Sequence, residues 1–208
     1  MASAIDTKTR IIDAAERLFA DSSFDAVAVR DIMKEAQANL GLMKYYFESK
    51  EALVEEVIAR RAGILNAERL QRLNRFAGTP ESSIKRVIDA IVDPYFEMMM
   101  QPEPGWHSYG RLIAQMAQSK RWNDLIHKYF DEISGKLIDE LERLTPHTSR
   151  DDVTRFFLFA IGAQLNFFSI NGRLRSLTNG AISDEDLEGG VEHLKRFLVS
   201  GLTGSLSS

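Results

Sequence analysis

The chain contains no cysteine, which removes disulfides, thiolate metal ligands and a cysteine nucleophile together. Histidine is scarce, and His107, His127, His147 and His193 stand apart, with no HExxH or Glu-x-x-His spacing that would gather a metal. No glycine-rich loop of the phosphate-cradling kind is present, since Gly189 and Gly190 fall inside a helical pattern. The adjacent Asp151 and Asp152 sit where a helix should begin, so they read as caps and not as a catalytic pair. These absences exclude a recognisable enzyme, a metal site and a bound cofactor. Apolar runs stay well short of the roughly 18 residues a spanning helix needs, so no membrane partner is expected. No basic-then-apolar segment opens the chain, and the expected compartment is the cytoplasm.

What remains is ordinary for a folded domain: 44% hydrophobic and 27% charged residues over 208 positions. The net charge is −4. The first fifty residues hold seven Lys and Arg against eight Asp and Glu, so any affinity for nucleic acid must come from a local face.

The apolar pattern is helical almost throughout, with no sustained alternation of period two. A first helix is predicted from Asp6 to Ala20, with Ile11, Ile12, Ala15, Leu18 and Phe19 on one stripe. A short second helix covers Ala28 to Ala36, and a third runs from Asn39 to Tyr45 with Asn39 as its cap. Ser49 caps a long fourth helix reaching past Leu70. Thr79 followed by Pro80 predicts the start of a fifth, with Pro94 kinking or ending it. A break over residues 101–105 precedes helices near 106–119, 122–144, 150–171 and 184–202. Ser149 with Asp152, and Ser183 with Asp186, are the predicted caps of the last two. The expectation is an all-α chain of about nine helices, ending in a short Gly/Ser tail.

Residues 9–53 hold two short helices joined by a tight turn, followed by Lys44-Tyr45-Tyr46-Phe47 and then Ser49-Lys50-Glu51. This stretch resembles the N-terminal DNA-binding domain of the tetracycline-repressor (TetR) family of bacterial regulators. The resemblance implies a three-helix helix-turn-helix domain (residues 1–50), joined by the long fourth helix to a larger ligand-binding and dimerisation domain (51–208). It also makes residues 39–45 a recognition helix for the major groove. Gly41 then permits close approach to the DNA backbone, with Asn39 at the helix start. Leu40, Leu42 and Lys44 face bases. Tyr45 and Tyr46 donate to phosphates, and Lys50 adds a cation at a helix N-terminus. A Tyr-Tyr-Phe run at a helix end otherwise packs in a core, and Phe47 is read that way, with Phe19, Phe24, Ile32 and Leu53. The chain departs from the family pattern at Ser23 and Gln37, where the family has glycine, and at Ala28, where it has Ser or Thr. Lys44 replaces the first aromatic of the family's Tyr-Tyr-His cluster and Tyr46 its histidine.

Beyond residue 80 the resemblance is one of layout. It implies a small hydrophobic inducer held between helices and a homodimer built by the last two long helices. Candidate inducers are a fatty acid, an acyl thioester or an aromatic compound. The soft, aromatic-rich set Met99, Trp106, Tyr109, Met116, Trp122 and Phe130 is the candidate pocket, although each also suits a plain core. His107, Arg111, Gln115 and Asn166, with Gln164 nearby, are the polar groups that would orient a ligand. Phe156, Phe159 and Phe167, with the stripe Leu187, Val191, Leu194 and Leu198, are the candidate dimer interface. The expected activity is repression from a palindromic double-stranded operator. The competing reading is a helical dimerising adaptor that never touches DNA.

Overall fold

A computed structural model describes residues 6–102 and 105–205, and the tail from 206 lies outside the described residues. Ten α-helices follow one another, with no strand among the described residues. They are α1 (Thr7–Asp21), α2 (Val29–Glu35), α3 (Gly41–Tyr46), α4 (Lys50–Asn74) and α5 (Ile84–Met99). After these come α6 (Gly105–Ala117), a single 3₁₀ turn (Lys120–Trp122), α7 (Asn123–Leu144), α8 (Arg150–Phe168), α9 (Arg173–Leu177) and α10 (Leu187–Ser205).

Helices α1 to α3 form the head. Asp6 starts α1 by accepting from the Thr9 amide at 3.0 Å, and its stripe of Ile11, Ile12, Ala15 and Phe19 is buried. Ile32 and Met33 of α2 and Met43 of α3 close on that stripe. Fully burying side chains of this size stabilises by roughly 1.5–3 kcal/mol each, so three short helices that would not persist alone are held together. Ala28 flanks α2 in extended geometry with no side-chain cap, leaving helix amides without the hydroxyl partner that Ser or Thr supplies. The turn closes through two hydrogen bonds, Ala38 N to Met33 O and Gln37 N to Lys34 O, at 2.9 and 3.1 Å. This geometry puts its central residue in left-handed space, and Gln37 has φ 50°.

The 25-residue α4 is shared by head and body. It starts as its Ser49 cap predicts, with Ser49 Oγ accepting from the Ala52 amide at 3.0 Å. In the body, α4 packs on α5 and α7, α6 lies between α1 and α8, and α10 lies along α5 and α8.

Several boundaries differ from the sequence reading. Helix α5 begins at Ile84 and not at Pro80, with Ser83 as its cap. Glu140 accounts for the delay, because its carboxylate takes the Gly78 amide and the Ser82 hydroxyl and holds residues 78–82 in a turn. Pro94 does not end α5, which continues to Met99 with Pro94 buried inside it. Of the break predicted over 101–105, residues 103 and 104 lie outside the described residues, and Gly105 is already helical. The tenth helix is the short α9, which follows Gly172 at φ 78°. Its Leu174 and Arg175 amides donate to the Asp184 carboxylate at 3.1 and 2.9 Å. Asp186, not Ser183, opens α10 by accepting from the Gly189 amide at 2.9 Å.

Glycine adopts left-handed backbone without a Cβ clash, and Gln37 is exposed. Gln37→Gly should therefore stabilise the chain by about 1 kcal/mol. Thermal unfolding should show Tm rising by roughly 2–4 °C.

Candidate DNA-reading surface and interior cavity

The recognition helix is short because little of it is buried. Met43 points into the head and Phe47, its C-cap, is buried. Asn39, Leu40, Gly41, Lys44 and Tyr45 remain exposed. Asn39 Oδ1 accepts from the Gly41 amide at 2.9 Å, so the helix proper begins one turn position later than the predicted cap. Leu40 is 56% and Tyr45 77% exposed, large surfaces left mostly uncovered by the described residues. Tyr45 meets Tyr46 edge to face at 4.8 Å. Lys34 and Lys44 are exposed cations with no ion pair among the described residues.

Three of the predicted reading residues sit differently. Leu42 and Tyr46 are half-buried against the core. Lys50 turns inward: its ammonium donates to the Phe24 carbonyl and lies 4.1 Å from the Phe24 ring centre. Desolvation there pulls its pKa down. Cation–π attraction and a backbone acceptor hold this cation inside the head, so it is not a free phosphate contact.

The seam between head and body is polar and densely paired. Arg61 of α4 grips Glu16 of α1 with two hydrogen bonds, Nε to Oε1 at 2.9 Å and Nη2 to Oε2 at 3.0 Å. Both side chains are almost wholly buried. Arg60 adds bonds to Glu16 (2.9 Å) and Asp13 (2.6 Å). The Arg61 guanidinium stacks 4.7 Å from the Trp106 ring. A Cβ on Gly105 would overlap the guanidinium and the Glu16 carboxylate, so this glycine is what lets α6 close over the pair. Further along the seam, Arg111 meets Asp21 at 2.9 Å, Gln115 donates to the Ala20 carbonyl at 3.1 Å, and Arg121 bridges Asp25 (2.8 Å) and Glu51 (3.0 Å). Trp122 packs edge-on to Phe24 at 5.0 Å.

This geometry corrects part of the predicted pocket. Arg111 and Gln115 reach α1 and have no role in lining the cavity. Met116 and Trp122 pack at the same seam. Trp106 lies under Arg61, and His107 Nε2 is 3.0 Å from the Met99 carbonyl, which places Met99 and His107 outside the cavity as well. Trp106, Met116, Trp122 and Met99 are buried, but against neighbouring elements and not on the cavity, while Gln115 is exposed.

The cavity itself lies among α4, α5, α6, α7 and α8 and has a volume of about 370 Å³. Tyr109 and Phe130 line it, alongside Ile113, Leu137, Phe157 and Ile161. Its polar side chains are Arg69, Tyr95, Tyr109, Asp131, Ser134, Thr154 and Gln164, of which sequence reasoning named only Tyr109 and Gln164. A signal existed: Arg61, Leu65, Arg69 and Leu73 follow one another at intervals of four, placing two arginines on the buried stripe of α4. Asn166 lies elsewhere, in a cleft between α8 and α10.

Of the predicted dimer residues, Leu187, Val191 and Leu198 are buried within the chain, because α10 turns that stripe onto α5 and α8. Leu194, Phe156 and Phe167 are half-buried. The outward face carries Phe159 (72% exposed), Phe197 (67%) and Leu158 (61%). No helix of the described residues is long and apolar enough to cross a membrane.

A helix-turn-helix head with an exposed third helix, fused through one long helix to a helical body with an internal cavity, defines a one-component DNA-binding regulator. Residues 11–57 match the family described as bacterial regulatory proteins, tetR family, and residues 89–201 match the tetracyclin repressor-like C-terminal domain. The chain belongs to the TetR family, whose members are DNA-binding transcriptional regulators and not enzymes. It is 36% identical over 55 residues to the probable HTH-type transcriptional regulator YttP of Bacillus subtilis, a match covering 26% of this chain and 27% of that protein. It is 23% identical over 150 residues to IcaR of Staphylococcus aureus, a negative transcriptional regulator of a biofilm operon, covering 72% and 69%. In fold it is similar to the fatty acid degradation regulator FadR of Bacillus halodurans, with TM-score 0.66, 16% identity and coverage of 96% and 98%.

Removing one partner of a buried ion pair leaves the other charge uncompensated. Glu16→Ala should cost about 3 kcal/mol or more. Urea denaturation would register this as a lower midpoint, and an unchanged midpoint would show that the pair contributes nothing.

Proposed function

We propose that this regulator is a homodimeric repressor that binds a palindromic operator through residues 39–45 and is released by a small, largely apolar molecule in the body cavity. The carrying observation is the pairing of two unsatisfied features. An exposed Leu40–Lys44–Tyr45 face is left largely uncovered by the described residues, and a lined cavity sits at the far end of the helix that supports it. An apolar side chain and a lysine on a short exposed helix suit a thymine methyl and a base edge or phosphate. Tyr45, with Asn39 and the Gly41 backbone beside it, suits the phosphates that fix register. Lys34 and Lys44 supply local positive charge on a chain whose net charge is negative. Lys50, Arg111 and Gln115 have no part in this reading.

The domains are residues 1–50 for DNA and 51–208 for ligand and dimer, with action in the cytoplasm, where the chromosome is. Phe159 and Phe197 on the outward face of α8 and α10 are the centre of the proposed two-fold contact. A self-complementary apolar patch closes on a second copy and sets two recognition helices on one side of the duplex. The similarity to IcaR, a negative transcriptional regulator, supports repression, as does the simplicity of blocking a promoter by occupancy. Ligand in the cavity would favour a state in which the two heads no longer match successive grooves, and strong induction needs a preference of several kcal/mol.

Selection of bound duplexes from a random library should enrich a palindrome with the native chain and none with Tyr45→Ala. Absence of enrichment at low salt with the native protein would favour the adaptor reading. Lys44→Ala should lower the slope of log affinity against log salt by about one if Lys44 meets a phosphate. Phe159→Glu should sediment as a monomer with helical content unchanged, and a persistent dimer would move the contact to another face.

A further inference from the structure

The cavity is not uniformly apolar at its inner end. Arg69 of α4, Tyr109 of α6 and Gln164 of α8 are each more than nine-tenths buried, and all three border it. Arg69 Nε and Gln164 Nε2 both point at one acceptor, the Ile91 carbonyl, at 3.2 and 3.4 Å. That shared acceptor sets guanidinium and amide side by side. No carboxylate lies within ion-pair distance of Arg69 among the described residues. Among the described residues the Tyr109 hydroxyl and the Gln164 carbonyl oxygen have no hydrogen-bond partner. Burial pulls the Arg69 pKa down to about 10, which leaves it cationic at neutral pH. An unpaired buried charge and an orphaned hydroxyl are both costly, and both are relieved by the same group: an anion accepting from guanidinium and phenol. Asp131 also lies on the cavity wall, but it is exposed at the rim and bonded to His127 Nδ1 at 2.5 Å. Ser134 of α7 and Thr154 of α8 add two hydroxyls to the wall, that of Thr154 already donating to the Arg150 carbonyl at 2.8 Å, and the rest of the lining is mostly aliphatic and aromatic, as Leu65, Ile113, Phe130 and Phe157 show.

We infer that the cavity selects a compact amphipathic monocarboxylate, with its carboxylate on Arg69 and Tyr109 and its apolar body between α7 and α8. Within the reading of this cavity as the inducer site, on which the inference rests, neutral aromatics and thioesters are disfavoured. The volume of about 370 Å³ lies in the range of roughly 300–1,000 Å³ typical of small-molecule sites, and a medium-chain acid such as decanoate is a suitable probe. A thioester replaces the carboxylate by a neutral carbonyl and so gives up the charge that would pair with Arg69.

The test uses the full chain and two matched pairs, decanoate against 1-decanol and 2-naphthoate against 2-naphthalenemethanol, with affinities from calorimetry. At least one acid should bind more tightly than its alcohol by about tenfold or more, the range of a charge-assisted hydrogen bond. Arg69→Met, which keeps length and removes charge, should erase that preference while leaving the alcohol's affinity unchanged. Arg69→Lys should retain part of it. Alcohols binding as well as acids, or Arg69→Met binding the acid undiminished, would overturn the inference. Operator release is read separately: an acid that binds with the expected preference yet leaves DNA affinity intact would sink the induction reading and leave the ligand chemistry standing. Release by a neutral compound occupying the cavity, with no acid binding, would do the reverse.

Discussion

The bidentate pair between Glu16 and Arg61 is the contact on which the arrangement of head and body depends. It joins α1, which belongs to the head, to α4, which belongs to both, beneath Trp106 and Gly105 of α6. Apolar packing alone tolerates sliding, since its energy follows buried area and has little direction. A two-pronged guanidinium–carboxylate bond in a dry seam has one geometry, and a displacement of about an ångström would cost much of its energy while the desolvation penalty stays. The weaker, more exposed pairs of Arg111 with Asp21 and Arg121 with Asp25 extend the same registration along α6. The head is thus fixed to the body by direction-sensitive bonds at its back, while its front is left bare.

That distribution of polar groups separates two kinds of buried arginine on one helix. Arg61 is matched by an acid and fixes structure. Arg69, two turns further along the same stripe, donates to a backbone carbonyl, has no carboxylate within ion-pair distance among the described residues and borders the cavity. The same residue type in the same register therefore serves closure at one level and leaves an opening at the next. Gly110 supports this second level: a Cβ there would press on the Tyr95 hydroxyl and the Phe168 backbone, so α6 can lie close enough to α8 for their side chains to share one cavity wall.

How much of this was legible in the sequence depends on the type of signal. The head was readable because caps, apolar spacing and turn chemistry agree locally: Ser49 opens α4, Ile32 and Met33 are buried, and Gln37 occupies the left-handed position of the turn. Boundaries failed where a distant residue decided them. Glu140 holds residues 78–82 away from α5, and no local rule near Pro80 contains that carboxylate. Periodicity showed that Trp106 and Met116 face inward, but not toward which neighbour: Trp106 meets Arg61 of α4, while Arg111, Gln115 and Trp122 reach α1 and the loop after it instead of the cavity. The same limit applied to α10, where a single stripe of Leu187, Val191 and Leu198 looked free for a partner and is already used by α5 and α8. Lys50 was assigned by its place at a helix start, whereas a neighbouring carbonyl and aromatic ring, set by the Phe24 loop, determine where its ammonium goes.

Because α4 runs unbroken from Lys50 to Asn74, in the proposed release it would act as a lever whose arm can be measured along the chain. From Arg69 to Lys50 is nineteen residues, or about 28 Å of rigid rod. A tilt of about 10° with its fulcrum at Arg69 sweeps the Lys50 end through about 5 Å, which exceeds the roughly 3.4 Å between successive base pairs. An angular change small enough to be absorbed by side-chain repacking at one end thus becomes, at the other, a misalignment of more than one rung of the duplex.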